Sequence, residues 1–122
     1  MQIKESAENY LETILILSKK NGTVRSIDVA NEMNFTKASI SVAMKRLRED
    51  EYIVVEKDGA IHLTDSGKEI ATKVYERHQL IAKILIDLGV NEETAFEDSC
   101  KIEHHLSQES FEKIKEYYEK IK

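Results

Sequence analysis

Cys100, Glu103 and His104 stand at i, i+3 and i+4. On a helix, at about 100° per residue, they span about 60° of arc, so a thiolate, a carboxylate and an imidazole project from one face. A first-row transition metal takes all three donor types, and few other uses call for them together. His78 lies 22 residues before Cys100 on the preceding helix, which a short turn folds back beside them. Asn9 and Glu12, again one turn apart, are placed to supply oxygens from the first helix. Taken singly, each residue has a plainer use: a lone cysteine is more often a small buried hydrophobe, and a lone glutamate is usually solvated. As a set, Asn9, Glu12, His78, Cys100, Glu103 and His104 are the candidate metal ligands. His105 points about 100° away from His104 on the same helix, and His62 falls on a hairpin, so neither is counted.

A second group carries positive charge. Arg25, Lys37, Lys45, Arg46 and Arg48 cluster in one third of the chain. From Glu92 to Glu112, by contrast, Lys101 is the only Lys or Arg among seven acidic residues. The net charge of −5 is therefore a segregation of signs, compatible with a polyanionic partner. Phosphate contacts need Lys, Arg and free backbone N–H groups, and base reading needs short side chains at a helix start. The run Thr36-Lys37-Ala38-Ser39-Ile40-Ser41 supplies that mixture. The expected DNA contacts are Arg25, Ser26, Thr36, Lys37, Ala38, Ser39, Ser41 and Lys45. No Arg, Asn or Gln stands in that run for a bidentate base contact, so sequence preference must draw on thymine methyls and DNA shape. The plainer reading is that these hydroxyls only cap a helix in a protein–protein module.

The elements that position these groups follow from periodicity. Residues from about Glu5 to Lys20 carry apolar side chains at Tyr10, Leu11, Ile14, Leu15 and Leu17, and Asn21-Gly22 ends the run. Ser26 reads as the cap of a short helix to Met33, with Ile27, Ala30 and Met33 on one face. Asn34-Phe35 is a tight turn, and Thr36 caps a helix to about Glu51 whose Ile40, Met44 and Leu47 face inward. Tyr52 to Glu56 and Ile61 to Leu63 then alternate around Asp58-Gly59, a hairpin signal. A long helix runs from Thr64 to Leu88 and stops at Gly89. Asn91 caps a helix to Leu106, and Ser107 caps a last one with a stripe at Phe111, Ile114, Tyr118 and Ile121. The four glycines all read as falling between helices. The fold class is mainly α: an N-terminal winged helix-turn-helix with a short β-hairpin wing (residues 1–65), then an all-α domain (66–122). The apolar faces of the last helices exceed the needs of one small domain, which points to dimerisation.

Composition excludes several classes. At 122 residues with 41% hydrophobic and 34% charged residues, the chain has an ordinary globular balance. The longest aliphatic run, Ile14 to Leu17, is far short of the ~20 residues a membrane span needs. Met1 to Glu5 lacks the order of a secretory signal, and a single cysteine fits a reducing cytosol, so the expected location is cytoplasmic. There is no His-Glu-x-x-His, no glycine-rich phosphate loop and no nucleophile–base motif, so neither an enzyme nor an organic cofactor is expected.

The segments Asn9-Tyr10-Leu11-Glu12, Arg77-His78 and Cys100-Lys101-Ile102-Glu103-His104-His105-Leu106-Ser107 resemble the diphtheria-toxin-repressor family. That family contains the iron-dependent repressors and the manganese transport regulators. The resemblance spans nearly the whole chain and implies its short two-domain form. It implies a homodimer that binds palindromic operator DNA when metal is bound and represses metal-uptake genes. Cys100 matches the iron-type ligand set and Glu12 the manganese type, while Asn9 matches neither. Ala82 and Phe96 replace the Glu and His of the iron-type ancillary site, which implies one principal metal site per subunit. A thiolate selects against manganese, so Fe2+ is favoured and Mn2+ is next, with Co2+, Ni2+ or Zn2+ able to substitute in vitro. Two alternatives stay open: a manganese-responsive regulator of the same family, and a metal-independent winged-helix regulator sensing a small ligand or thiol oxidation at Cys100.

Overall fold

The computed structural model of the chain describes residues 5–122, with side chains from Ser6 onward. Met1 to Lys4, where the reading for a secretory leader falls, lie outside the described residues. The element order is α1 (Glu5–Asn21), α2 (Ser26–Met33), α3 (Lys37–Glu49), β1 (Ile53–Val55), β2 (Ile61–Leu63), α4 (Asp65–Asp87), α5 (Glu92–Glu103) and α6 (Gln108–Ile121). Two compact units meet within α4, one ending at Thr72 and the other starting at Lys73. No helix among the described residues is long and apolar enough to cross a membrane.

The first unit is the expected winged helix-turn-helix. Leu11, Ile14, Val29, Ile40 and Ile53 are almost completely buried and form its centre. Each such side chain contributes about 2 kcal/mol on leaving water, so this cluster dominates the unit's stability. The i, i+4, i+7 set Ile40, Met44 and Leu47 is the buried face of α3. β1 and β2 pair antiparallel with Ile53 opposite Leu63, and the Ile61 N–H also donates to the Val24 carbonyl at 2.7 Å. That bridge seats the wing on the segment entering α2.

Several local details differ from the sequence reading. Ser26 is the first residue of α2, and Arg25, in extended backbone, is its N-cap. The reason is Asp28, whose carboxylate accepts the Arg25 backbone N–H at 2.9 Å and so stabilises the turn from inside the helix. The buried face of α2 is Val29 and Ala30, and Ile27 is 40% exposed. Gly67 lies in the first turn of α4, not between helices. A Cβ there would stand 2.0 Å from the Tyr52 carbonyl oxygen, so only glycine allows this close approach. Thr64 closes the same junction: its hydroxyl donates to the Glu51 carbonyl at 2.7 Å and accepts from the Gly67 N–H at 3.2 Å.

In the second unit, α4 stops before Gly89, which takes φ +104, and Asn91 caps α5 by accepting from the Glu93 and Thr94 N–H groups. α5 ends at Glu103, three residues earlier than its apolar pattern suggests. Ser107 caps α6 as read, accepting from the Ser110 N–H. Along α6 only part of the stripe is inside: Phe111 and Tyr118 are buried, while Ile114 and Ile121 are exposed. Tyr117, Leu88 and Ile102 add to that exposed apolar surface.

Candidate metal centre and nucleic-acid interface

α5 brings three of the expected ligands together. Cys100 Sγ, a Glu103 carboxylate oxygen and a His104 ring nitrogen all lie within 4.8 Å of one another. His104 follows the last α5 residue but keeps helical dihedrals (φ −79, ψ −16), so the i, i+4 geometry persists past the helix end. The side chains of Glu103 and His104 are 0% and 1% exposed. Glu103 presents Oε1 to His104 Nε2 at 3.4 Å and Oε2 to His78 Nδ1 at 3.9 Å. Atoms that each stand about 2.0–2.3 Å from one ion lie roughly 3–4 Å apart, so these spacings fit ligands of a common cation.

His78 is oriented by a backbone group. Its Nε2 sits 3.2 Å from the Phe96 carbonyl oxygen, which also accepts from the Ser99 hydroxyl at 3.0 Å. A carbonyl only accepts, so Nε2 carries the hydrogen, and Nδ1, on the Glu103 side, is the ring nitrogen left to coordinate a cation. The Phe96 ring meets the imidazole edge-on, with centroids 5.7 Å apart. This arrangement fixes the tautomer a metal ligand needs. Sequence reading treats Phe96 only as the loss of an ancillary ligand, because a backbone carbonyl leaves no mark on residue type.

Asn9 and Glu12 belong to α1 in the first unit, one turn apart. Asn9 is half-buried, and Glu12 is 5% exposed on a helix whose other deeply buried residues are Leu11, Ile14, Leu15 and Leu17. A carboxylate is seldom this deeply buried unless paired or coordinated.

Arg77 adds a feature that the sequence reading uses only as a motif neighbour of His78. Its Nη1 donates to the Glu103 carbonyl at 3.0 Å and the Leu106 carbonyl at 2.7 Å, and Nη2 donates to Gln108 Oε1 at 2.6 Å. The guanidinium also lies 5.1 Å above the Phe111 ring.

The other candidate surface is α3 with its surroundings. Lys37, Ala38, Ser39, Ser41 and Lys45 are all exposed along it, and Arg46 and Arg48 follow. Thr36 is exposed but engaged: its Oγ1 accepts from the Ser39 N–H at 3.1 Å and donates to Ser39 Oγ at 3.0 Å. Ser26 is half-buried at the start of α2. Arg25 reaches the hairpin turn, with Nε donating to the Asp58 carbonyl at 3.3 Å and Nη2 standing 3.4 Å from its carboxylate. Both side chains are about half exposed or more, so this pair contributes little stability but holds the wing to the start of α2. Val42 is 67% exposed on the outward face of α3 and is absent from the sequence reading. The signal was available, since Val42 follows Ser41 on the side opposite Ile40 and Met44.

Comparison with known proteins gives both units a relative. Residues 2–61 match the model of the iron dependent repressor N-terminal DNA binding domain. Residues 64–122 match that of the iron dependent repressor metal binding and dimerisation domain. The HTH-type transcriptional regulator MntR of Geobacillus thermodenitrificans strain NG80-2 is 38% identical over 109 residues, 89% of this chain and 77% of the relative. MntR of Bacillus subtilis strain 168 is 36% identical with the same coverage. Among solved structures, the manganese regulator SloR aligns with a TM-score of 0.82 at 23% identity, covering 98% of this chain and 55% of that one. The chain thus spans about half the length of that structure, and the likeness shows a shared fold.

Proposed function

This chain belongs to the iron-dependent repressor family of metal-dependent, DNA-binding transcriptional repressors, and we propose that Fe2+ bound at Cys100, Glu103, His104 and His78, with Glu12 and Asn9, switches it to operator binding. The carrying observation is the convergence of thiolate, carboxylate and imidazole within 4.8 Å in the unit matching a metal-binding and dimerisation domain. A divalent cation supplies the positive charge that lets these anionic donors share one place. Without it, Glu12, Glu103 and a Cys100 thiolate repel one another once desolvated. Metal binding then sets the spacing of the two recognition helices in a dimer. Two half-sites of a palindromic operator are engaged together only at a separation of about one DNA turn or a multiple.

Divalent metal binding is the general assignment, and iron is the specific one, since a thiolate favours Fe2+ over the harder Mn2+. A second reading, a manganese-responsive regulator, draws on Glu12, which matches the manganese-type ligand position, and on relatives named MntR. The test is an anaerobic binding titration with Fe2+, Mn2+ and Zn2+ on a duplex selected from a random pool with the metal-loaded protein. Fe2+ giving the tightest complex supports the main reading, Mn2+ the second. Binding unchanged by a chelator would falsify both.

On DNA, Lys37 and Lys45 at the exposed face of α3, and Arg25 beside the wing, pair with phosphates. Ser26, Thr36, Ala38, Ser39 and Ser41 lie close to the groove, where the helix N-terminus also favours a phosphate. Lys37→Ala is expected to weaken operator binding several-fold and to reduce the slope of log K against log salt by about 1. An unaltered slope removes Lys37 from the phosphate contacts.

A further inference from the structure

We propose that Arg77 is a positioning residue of the metal centre, holding the last turn of α5, and with it Glu103 and His104, at a fixed distance from His78. The inference rests on the metal reading above. Arg77 precedes His78 on α4, so whatever fixes its guanidinium also fixes the helix that carries this ligand. Its two bonds to the Glu103 and Leu106 carbonyls span the end of α5 and the turn into α6, and its third reaches Gln108 in the first turn of α6.

The physical need for such a clasp is specific to this place. The last carbonyls of a helix have no intrahelical partner, and that end carries partial negative charge. α5 ends at the residue whose carboxylate is a candidate ligand, and the next residue supplies an imidazole. An untied final turn frays, and here fraying displaces two of the Cys100, Glu103 and His104 group, while Cys100 sits one turn further in. A planar guanidinium can hold two carbonyls and an amide oxygen in one plane, and stacking over the buried Phe111 fixes that plane. The ammonium of a lysine offers charge to the helix end but cannot hold all three acceptors together. Arg77 meets Glu103 only through its backbone, leaving the carboxylate directed at His78 and His104.

The experiment is an anaerobic Co2+ titration of the full chain, followed by d–d absorption and by the thiolate-to-cobalt charge-transfer band, with melting of the metal-free proteins alongside. Arg77→Met is expected to bind Co2+ about ten- to a hundredfold more weakly, with shifted d–d bands and the thiolate band retained. Arg77→Lys restores most of the metal-free melting temperature while affinity stays reduced and the d–d bands stay shifted. Variants that melt lower yet bind Co2+ with wild-type affinity and spectrum overturn the proposal, and Arg77 is then a structural brace only. If Glu103→Gln abolishes binding while both Arg77 variants leave it intact, the metal reading stands and this inference alone fails. A wild-type chain that takes up no Co2+, showing neither d–d bands nor the thiolate band, overturns both.

Discussion

Glu103→Gln is expected to leave a folded dimer whose operator binding no longer responds to metal. Glutamine has nearly the same shape, so the buried site stays filled, but the amide oxygen carries no charge to set against a cation. The Glu103 side chain is fully buried, with imidazole nitrogens 3.4 and 3.9 Å from its two oxygens. Removing a buried charge lowers the desolvation cost of the metal-free state. The metal-free variant should therefore melt no lower than wild type, while the rise in melting temperature on adding Mn2+ disappears. A loss of at least about a hundredfold in metal affinity corresponds to about 2.7 kcal/mol. By reciprocity, operator DNA that tightens metal binding by some factor in wild type leaves the variant's residual affinity unchanged. Calorimetric melting with and without Mn2+, together with operator binding, checks this. Metal-stimulated binding that survives in Glu103→Gln takes this carboxylate out of the site.

How much of this was legible beforehand depends on where the information resides. The winged helix was readable because residue types report it directly: Ile40, Met44 and Leu47 repeat at helical spacing, and Asp58-Gly59 marks the hairpin. The grouping of Cys100, Glu103 and His104 followed from helix geometry alone, since no long-range contact is needed to form it. Other features depend on backbone groups or on distant neighbours, and these were missed. The Phe96 carbonyl that sets the His78 tautomer is one such group. Gly67 looks like any helix-ending glycine until the Tyr52 carbonyl is seen beside it. Arg77 counts only as a motif neighbour of His78 until its acceptors, 26 to 31 residues away, are in place. The α2 cap was misassigned because Ser26 has the better capping side chain, whereas Asp28 captures the Arg25 N–H. On α6, a stripe with perfect spacing is half exposed, because periodicity identifies an apolar face without saying which neighbour covers it.

Exchanging the sulfur at position 100 should change which metal the protein prefers. Cys100 is half-buried on α5 with its Sγ among the Glu103 and His104 donor atoms. In the ordinary affinity order Fe2+ already exceeds Mn2+ at a given site, and a thiolate widens that gap because sulfur is soft and Mn2+ is hard. Cys100→Glu replaces it with an oxygen donor of equal charge, so the electrostatic attraction for a divalent ion is kept and only donor softness changes. The Fe2+/Mn2+ affinity ratio is expected to fall by about tenfold or more, chiefly through tighter Mn2+ binding, and operator binding should become Mn2+-responsive at lower concentration. Cys100→Ala separates the contributions: it removes the donor without adding oxygen, so both ions weaken. Competitive metal titrations on the three proteins read the ratio directly. Should that ratio be the same in all three, Cys100 is a packing residue. Any selection of Fe2+ over Mn2+ must then come from the oxygen and nitrogen donors, with Asn9, the residue matching neither branch of the family, the next position to exchange.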